Sequence, residues 1–257
     1  GYEATGVADN SVVLGNEDVT AVYMGEDSGA TVYAAGLNIG GTEITSTAAE
    51  LNLLSGATSL GTGILSPVTE NSNTGVRLST AVADNHGDIG SNAVDLSYSD
   101  SASTTNGATG YASTAMGYLT TASGSISTAM GYETTASGEV STAMGQSTEA
   151  SGDYSTAMGR DTEASGNFST AMGYETTASG EVSTAMGELT EASGEVSTAM
   201  GAFTTASGSR STAMGYETTA SGEVSTAMGQ STEASGDYST AMGRDTEASD
   251  YGSLVIG

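Results

Sequence analysis

The sequence is poor in the residues that carry most catalytic and metal chemistry. Among 257 residues it has no cysteine and a single histidine, His86. Without cysteine there is neither a disulfide framework nor thiol chemistry. A single imidazole provides no histidine pair for a metal ion, and no Ser/His/Asp grouping is evident. The sequence therefore predicts no catalytic residues, no metal site and no cofactor, in a protein that is not an enzyme.

Basic residues are also scarce. Lysine is absent, and four cations stand against 31 acids, which gives a formal net charge of −27. The cations are Arg77, Arg160, Arg210 and Arg244. Such a charge repels nucleic acids and anionic membranes, and no apolar run is long enough to cross a bilayer. We expect no nucleic-acid partner and no membrane insertion by this segment.

What the sequence does contain is a strict repeat. Ser-Thr-Ala-Met-Gly occurs ten times after Tyr111, always in steps of 14 residues, and a divergent eleventh copy places Ile256 where the others have methionine. A fixed short period predicts a solenoid, in which each repeat is one coil stacked on the last. The column so defined contains Met116, Met130, Met144, Met158, Met172, Met186, Met200, Met214, Met228, Met242 and Ile256.

The composition of the repeat selects the kind of coil. Each unit is rich in glycine, serine and threonine and has almost no leucine, lysine or arginine, so two heptads of a coiled coil are excluded. Glycine does not recur at every third residue, which excludes collagen. The remaining interpretation is a β-coil with two short strands and two tight turns in each unit.

Alternation along the strands predicts which side chains lie inside. A 14-residue coil is too narrow for large side chains, so we assign the small residues to its interior. This inner set is Ser141, Ala143 and Gly145, facing Thr134, Ala136 and Gly138. Val140, Thr142 and Met144 then point outward, and stacking turns them into an apolar stripe that has to be buried against other copies. Parity alone leaves the inverse assignment open, with methionine inside; both versions favour an assembly.

These motifs resemble those of a known family. Ser-Thr-Ala-Met-Gly, with Ala-Ser-Gly seven residues on and a period of 14, is similar to the head repeats of trimeric autotransporter adhesins, the YadA-like head, over about residues 107–257. The resemblance implies an all-β fold, a left-handed parallel β-roll (β-solenoid) with 14-residue coils. It also implies a homotrimer around one axis, which the methionine column and Ile256 would line, and an adhesive or fibrous role outside the cell. The same repeats occur in phage tail fibres.

The chain before the repeats is less regular. Residues 1–56 predict a small irregular β region with short strands and one helix at about residues 47–54. The sequence 44–54 resembles a segment common in phage tail fibre proteins. Residues 57–106 predict a linker followed by lead-in strands, with a loop over residues 55–75 and strands at Val76–Leu78 and Ala93–Tyr98. Residues 107–257 form the predicted β-roll head.

Two sets of surface residues are candidates for contacts. The first comprises exposed turns with aromatic side chains beside polar ones, which favour a host-surface protein or a glycan as partner; its members are Tyr118, Tyr132, Tyr174 and Tyr216. The second is a column of acids after Ala-Ser-Gly, such as Glu139 and Asp153, which is either a solvated face or a trap for divalent cations.

Three functions remain open from the sequence. The first is an extracellular, non-enzymatic trimeric fibre or adhesin segment at a cell surface, for attachment or spacing. The block 131–165 recurs unchanged at 215–249, which is consistent with a spacer whose length changes by whole coils. The second is a phage tail fibre or virion appendage, located on the virion surface. The third is a self-assembling structural filament, since the end of a solenoid exposes unpaired strand edges.

Overall fold

The structure, a computed structural model, describes residues 37–39, 42–44 and 64–257. The chain divides into two compact units, Gly1–Ala57 and Thr58–Gly257. In the first unit, Leu37–Ile39 and Thr42–Ile44 pair as an antiparallel hairpin. The helix predicted at 47–54 and most of the β region predicted over residues 1–56 lie outside the described residues.

The second unit is a parallel β-solenoid in which every repeat contributes one long and one short strand. The long strands are Thr114–Tyr118, Thr128–Tyr132, Thr142–Gln146, Thr156–Arg160, Thr170–Tyr174, Thr184–Glu188, Thr198–Ala202, Thr212–Tyr216, Thr226–Gln230, Thr240–Arg244 and the final Leu254–Ile256. The short strands are Gly107–Ala108, Thr121–Ala122, Thr135–Ala136, Glu149–Ala150, Glu163–Ala164, Thr177–Ala178, Glu191–Ala192, Thr205–Ala206, Thr219–Ala220, Glu233–Ala234 and Glu247–Ala248.

The two kinds of strand form two separate sheets. Short strands make an 11-stranded sheet, and long strands belong to a 14-stranded sheet that also includes the strands preceding the repeats. Within both sheets each repeat residue pairs with the residue 14 positions on, as Met144 does with Met158. Identical residues therefore form straight columns, with a spacing of about 4.8 Å from coil to coil. The predicted 14-residue β-solenoid is confirmed.

The interior of the coil contains only small side chains. Ser141 and Ala143 from the long strand, and Thr134 and Ala136 from the short-strand side, are buried, as are their equivalents in the other coils. Met144 lies on the opposite, outer face, so the alternative with methionine inside is wrong. The assignment of Gly145 to the interior is also wrong. Gly145 is exposed, because its φ of +131° breaks the alternation of the strand.

Both turns of each coil depend on left-handed backbone at residues other than glycine. Val140 has φ +55° in one turn, and Ser147 has φ +50° in the other. This conformation directs the backbone N–H along the solenoid axis, so that Val140 donates to the carbonyl oxygen of Ser125 in the preceding coil at 2.8 Å. Alternation along the strand predicted Val140 on the same face as Thr142 and Met144. Val140 belongs instead to a turn.

The lead-in strands extend the long-strand sheet toward the N-terminus. Val94–Tyr98 and Asn73–Leu78 are parallel members of that sheet, which confirms the predicted strands at Val76–Leu78 and Ala93–Tyr98. Leu65–Glu70 pairs antiparallel with Asn73–Leu78 as the edge strand, so the loop predicted over residues 55–75 is wrong in this part. Pro67 fits here because an edge strand tolerates a missing N–H donor.

A buried polar cluster lies inside these first coils. The guanidinium of Arg77 contacts Asp95 at 3.1 Å and Glu70 at 3.0 Å, and donates to the carbonyl oxygen of Gly87 at 2.8 Å. Asp95 is completely buried and is in register with Ala115 of the next coil. A short 3-10 helix, Ala83–Asn85, lies in the connection between these strands. The first coils thus have paired charges where the later coils have small uncharged side chains.

Candidate interaction surfaces

The first and third residues of the long strands form an outward surface that has no charged side chain over ten consecutive repeats. Its two outward columns consist only of threonine and methionine, represented by Thr142 and Met144, and adjacent members pair in register. These methionines are half-buried by their neighbours along the column, and Met116, the first of them, is 40% exposed. In a chain of net charge −27, a face about ten coils long and free of charge is a distinct surface.

An apolar column lies in the turn that precedes each long strand. Its exposed members include Ile126, Tyr154, Phe168, Val182, Val196, Val224 and Tyr238. Phe168 is 54% exposed, and its ring stacks on Tyr154 with centroids 5.1 Å apart. Each of these side chains stands on a residue with φ between +50° and +60°, where β-branched and bulky residues are strained. Arg210 is the charged member of the column and contacts Glu223 at 3.2 Å.

The four candidate tyrosines are the last residues of long strands, and not turn residues as predicted. Tyr118, Tyr132, Tyr174 and Tyr216 occupy the same column, and Tyr132 and Tyr216 are 45% and 44% exposed. Tyr118 and Tyr132 lie in successive coils and stack, with ring centroids 5.1 Å apart. The structure thus brings two of the four into contact, while the other two stand apart along the column.

Each of these tyrosines has a carboxylate beside its hydroxyl group. Tyr118 donates a hydrogen bond to Oδ2 of Asp100 at 2.8 Å, and this bond is the main cause that raises the pKa of Tyr118 to about 12. The remaining three are each followed directly by glutamate. The charge of Glu133 raises the pKa of Tyr132.

The other two tyrosine–glutamate pairs behave alike. A hydrogen bond to Glu175 raises the pKa of Tyr174, and the charge of Glu217 raises the pKa of Tyr216. In all four cases a carboxylate favours the neutral phenol over the phenolate. All four tyrosine rings therefore have a negative charge close by.

Arg160 lies in the same column as the four tyrosines and contacts one of them. The guanidinium carbon of Arg160 lies 5.2 Å from the ring centroid of Tyr174 in the next coil, within the distance of a cation–π contact. The same guanidinium donates from Nε to Oδ2 of Asp161 at 3.1 Å. An arginine is thus held between an aromatic face and a carboxylate.

Two aspartates among the acids after Ala-Ser-Gly connect one coil to the next. Asp153 accepts a hydrogen bond from the backbone N–H of Glu139, one coil earlier, at 2.9 Å, and Asp237 accepts one from Glu223 in the same way. Within residues 37–39, 42–44 and 64–257, no group of three or more histidine and acidic side chains could hold a metal ion. In the segment 84–88, His86 is buried with Nδ1 3.0 Å from the carbonyl oxygen of Val82.

The family model described as the YadA head domain repeat matches this chain in ten overlapping segments between residues 108 and 257, which is more than half of its length. The chain belongs to the YadA head-repeat family. No curated protein matches the chain. Each matched segment covers about two of the 14-residue coils described above.

Some features of this chain had no sequence signal. The carboxylate of Asp100 reaches Tyr118 from a loop 18 residues earlier, and Arg77 meets Asp95 over the same separation. The glutamates beside Tyr132, Tyr174 and Tyr216 were visible as Tyr-Glu dipeptides, which recur at a fixed interval. Across the described parts of the chain, helices of the length and apolarity that span a membrane are not found.

Proposed function

We propose that this chain is a non-enzymatic segment of an extracellular, trimeric adhesin-like fibre. The fibre either attaches to another surface or serves as a spacer. The observation that carries the proposal is the uncharged surface formed by the threonine and methionine columns of the long strands. Like-charged chains repel one another, so copies of this chain approach most easily where Thr142, Met144 and their equivalents face out. The methionine column and Ile256 then line the axis of the assembly.

The apolar turn column supports burial between copies. Left-handed backbone costs about 1–2 kcal/mol for a residue other than glycine. In a single chain Val182 is still 47% exposed, so burial within the chain offsets little of that cost. Contact with a neighbouring copy would offset it by removing apolar surface from water. Membership of the YadA head-repeat family supports three as the number of copies in this proposal.

The composition fits an extracellular fibre. A salty medium screens the charge of about 80 negative units that three chains of −27 would bring together. The absence of cysteine leaves no thiol to oxidise. Exposed aromatic and acidic side chains at the ends of the long strands, including Tyr132 and Tyr216, provide the contact surface for attachment.

Native mass tests the assembly. Light scattering at several protein concentrations is expected to give about three times the chain mass of 25.2 kDa. Met172→Glu, which places a charge on the uncharged face, is expected to shift the mass toward that of one chain. Ser179→Glu, on the exposed short-strand side of the same repeat, is the matched control and should leave the mass unchanged. A monomeric parent chain contradicts the proposed trimer, and a mass that rises with concentration favours a filament.

A further inference from the structure

Three coils of the solenoid have the same 14-residue sequence, Tyr-Glu-Thr-Thr-Ala-Ser-Gly-Glu-Val-Ser-Thr-Ala-Met-Gly. They begin at Tyr132, Tyr174 and Tyr216, so that two other coils separate each from the next. At about 4.8 Å per coil, the three starting tyrosines stand about 14 Å apart along the axis. The surface thus presents one aromatic ring followed by one glutamate at a constant interval, which we call the Tyr–Glu ladder: Tyr132/Glu133, Tyr174/Glu175 and Tyr216/Glu217.

The contact of Arg160 with Tyr174 shows what this ladder accepts. The guanidinium lies 5.2 Å from the ring centroid, and both Arg160 and Asp161 remain accessible, with 58% and 38% of their side chains exposed. The neighbours that precede the other two rungs are different. Tyr118 precedes Tyr132, and Ala202 precedes Tyr216, so neither of those rings has an arginine of its own chain in the preceding coil.

The charge around the ladder favours the same kind of ligand. Glu133, Glu175 and Glu217 directly follow the three tyrosines, and the chain has no lysine and only four arginines to compensate 31 acids. A cation that approaches the ladder therefore meets both long-range attraction and a ring face. Arginine suits such a surface because its planar guanidinium stacks on aromatic rings and pairs with carboxylates.

We propose that the Tyr–Glu ladder binds a basic polypeptide segment, whose arginine and lysine side chains occupy the rungs as Arg160 occupies the face of Tyr174. This inference rests on the proposed role in attachment and names the partner as a cationic protein segment.

The three identical coils provide a matched test against diffuse charge attraction. The probe is a fluorescently labelled octa-arginine peptide, and the measurement is its affinity by anisotropy at physiological salt. The triple variant Glu133→Gln/Glu175→Gln/Glu217→Gln removes the ladder carboxylates. The control Glu139→Gln/Glu181→Gln/Glu223→Gln removes three charges from the same coils at the opposite turn. We expect the first to weaken binding about tenfold and the second less than about threefold. Equal losses would overturn the proposal.

A second pair of variants isolates the ring. Arg160→Ala and Arg244→Ala each remove one arginine from the same sequence, Gly-Arg-Asp-Thr-Glu-Ala-Ser, and each arginine pairs with the aspartate that follows it. Only Arg160 lies over a tyrosine among the described residues. Arg160→Ala is expected to raise the peptide affinity about threefold more than Arg244→Ala, because it frees the face of Tyr174. An equal effect of the two variants contradicts a site on the ring.

Replacing the three ring faces completes the test. Tyr132→Leu/Tyr174→Leu/Tyr216→Leu keeps every charge, and we expect it to lower the affinity for octa-arginine about tenfold while the circular dichroism spectrum stays the same. Unchanged affinity would show that the rings do not take part. Native mass is recorded for every variant, so a failure of the ladder, seen as weak or unspecific peptide binding by a trimer, is distinct from a failure of the assembly, seen as a monomer.

Discussion

The carbonyl oxygen of Gly201 lies 1.8 Å from the point at which a Cβ atom on Gly187 would stand. The two residues occupy the same position in successive coils and pair in register. Because coils stack at about 4.8 Å, the backbone of the next coil leaves no room for a side chain at this position. Gly187 also has φ +133°, which L-residues rarely adopt. The glycine of each Ser-Thr-Ala-Met-Gly motif is thus required by the stacking itself.

Gly187→Ala is therefore expected to destabilise the solenoid by more than about 2 kcal/mol, since steric overlap with backbone adds to left-handed strain. The measurement is the midpoint of thermal unfolding by circular dichroism. Gly252→Ala is the control, because Gly252 has φ +65° and no atom within 4 Å of its Cβ position. It should cost about 1 kcal/mol from backbone strain alone. Equal losses would show that stacking does not restrict Gly187.

Buried hydroxyl groups in the interior offer a route to higher stability. Oγ1 of Thr176 is buried without a hydrogen-bond partner, as are the equivalent atoms of Thr162 and Thr190. An unsatisfied buried polar group is unfavourable. Thr176→Val, which keeps the shape, is expected to increase the free energy of unfolding by about 1 kcal/mol. Thr177→Val, on the half-buried outer side, should change it by less than about 0.5 kcal/mol. A loss of stability in Thr176→Val would show that its hydroxyl is hydrogen-bonded.

Spacing was sufficient to predict the fold and most of the interior, but not the local backbone. The period of 14 and the alternation of small and large residues identified the coil, its two strands and the burial of Ala143. Gly145 was misplaced because a positive φ reverses the side of the strand, and no alternation pattern contains that information. The four tyrosines were identifiable as a column, whereas the carboxylate of Asp100 comes to Tyr118 through a loop closure that spacing does not predict.

A substitution in the apolar turn column is expected to stabilise the single chain and to weaken the assembly. Val182 has φ +57° and Leu189, in the other turn, has φ +51°. Asparagine accepts this conformation better than either, so Val182→Asn and Leu189→Asn should each relieve about 1 kcal/mol of strain within a chain. Only Val182→Asn should also weaken trimer formation, because Leu189 shares its column with the charged Glu133 and Glu175. Light scattering across a dilution series separates them, and equal behaviour would exclude Val182 from the interface.

The buried pair of Arg77 and Asp95 should set the stability of the first coils. Removing one partner leaves the other charge uncompensated inside the protein, which typically costs about 3–5 kcal/mol. Arg77→Met is expected to cause such a loss in the protection of the Asn73–Leu78 and Val94–Tyr98 amides, measured by hydrogen exchange. Asp95→Ala places at this position the residue that the next coil has at Ala115, its partner in register.

The double variant Arg77→Met/Asp95→Ala should recover much of the protection lost in Arg77→Met, because it removes both the charge and its partner. Glu70, at 23% exposure, keeps contact with water and does not need the same compensation. If the two substitutions are simply additive, Arg77 and Asp95 are not energetically coupled, and packing around the guanidinium stem accounts for the stability of these coils. Recovery of amide protection in the double variant identifies the charge pair as the interaction that stabilises this part of the solenoid.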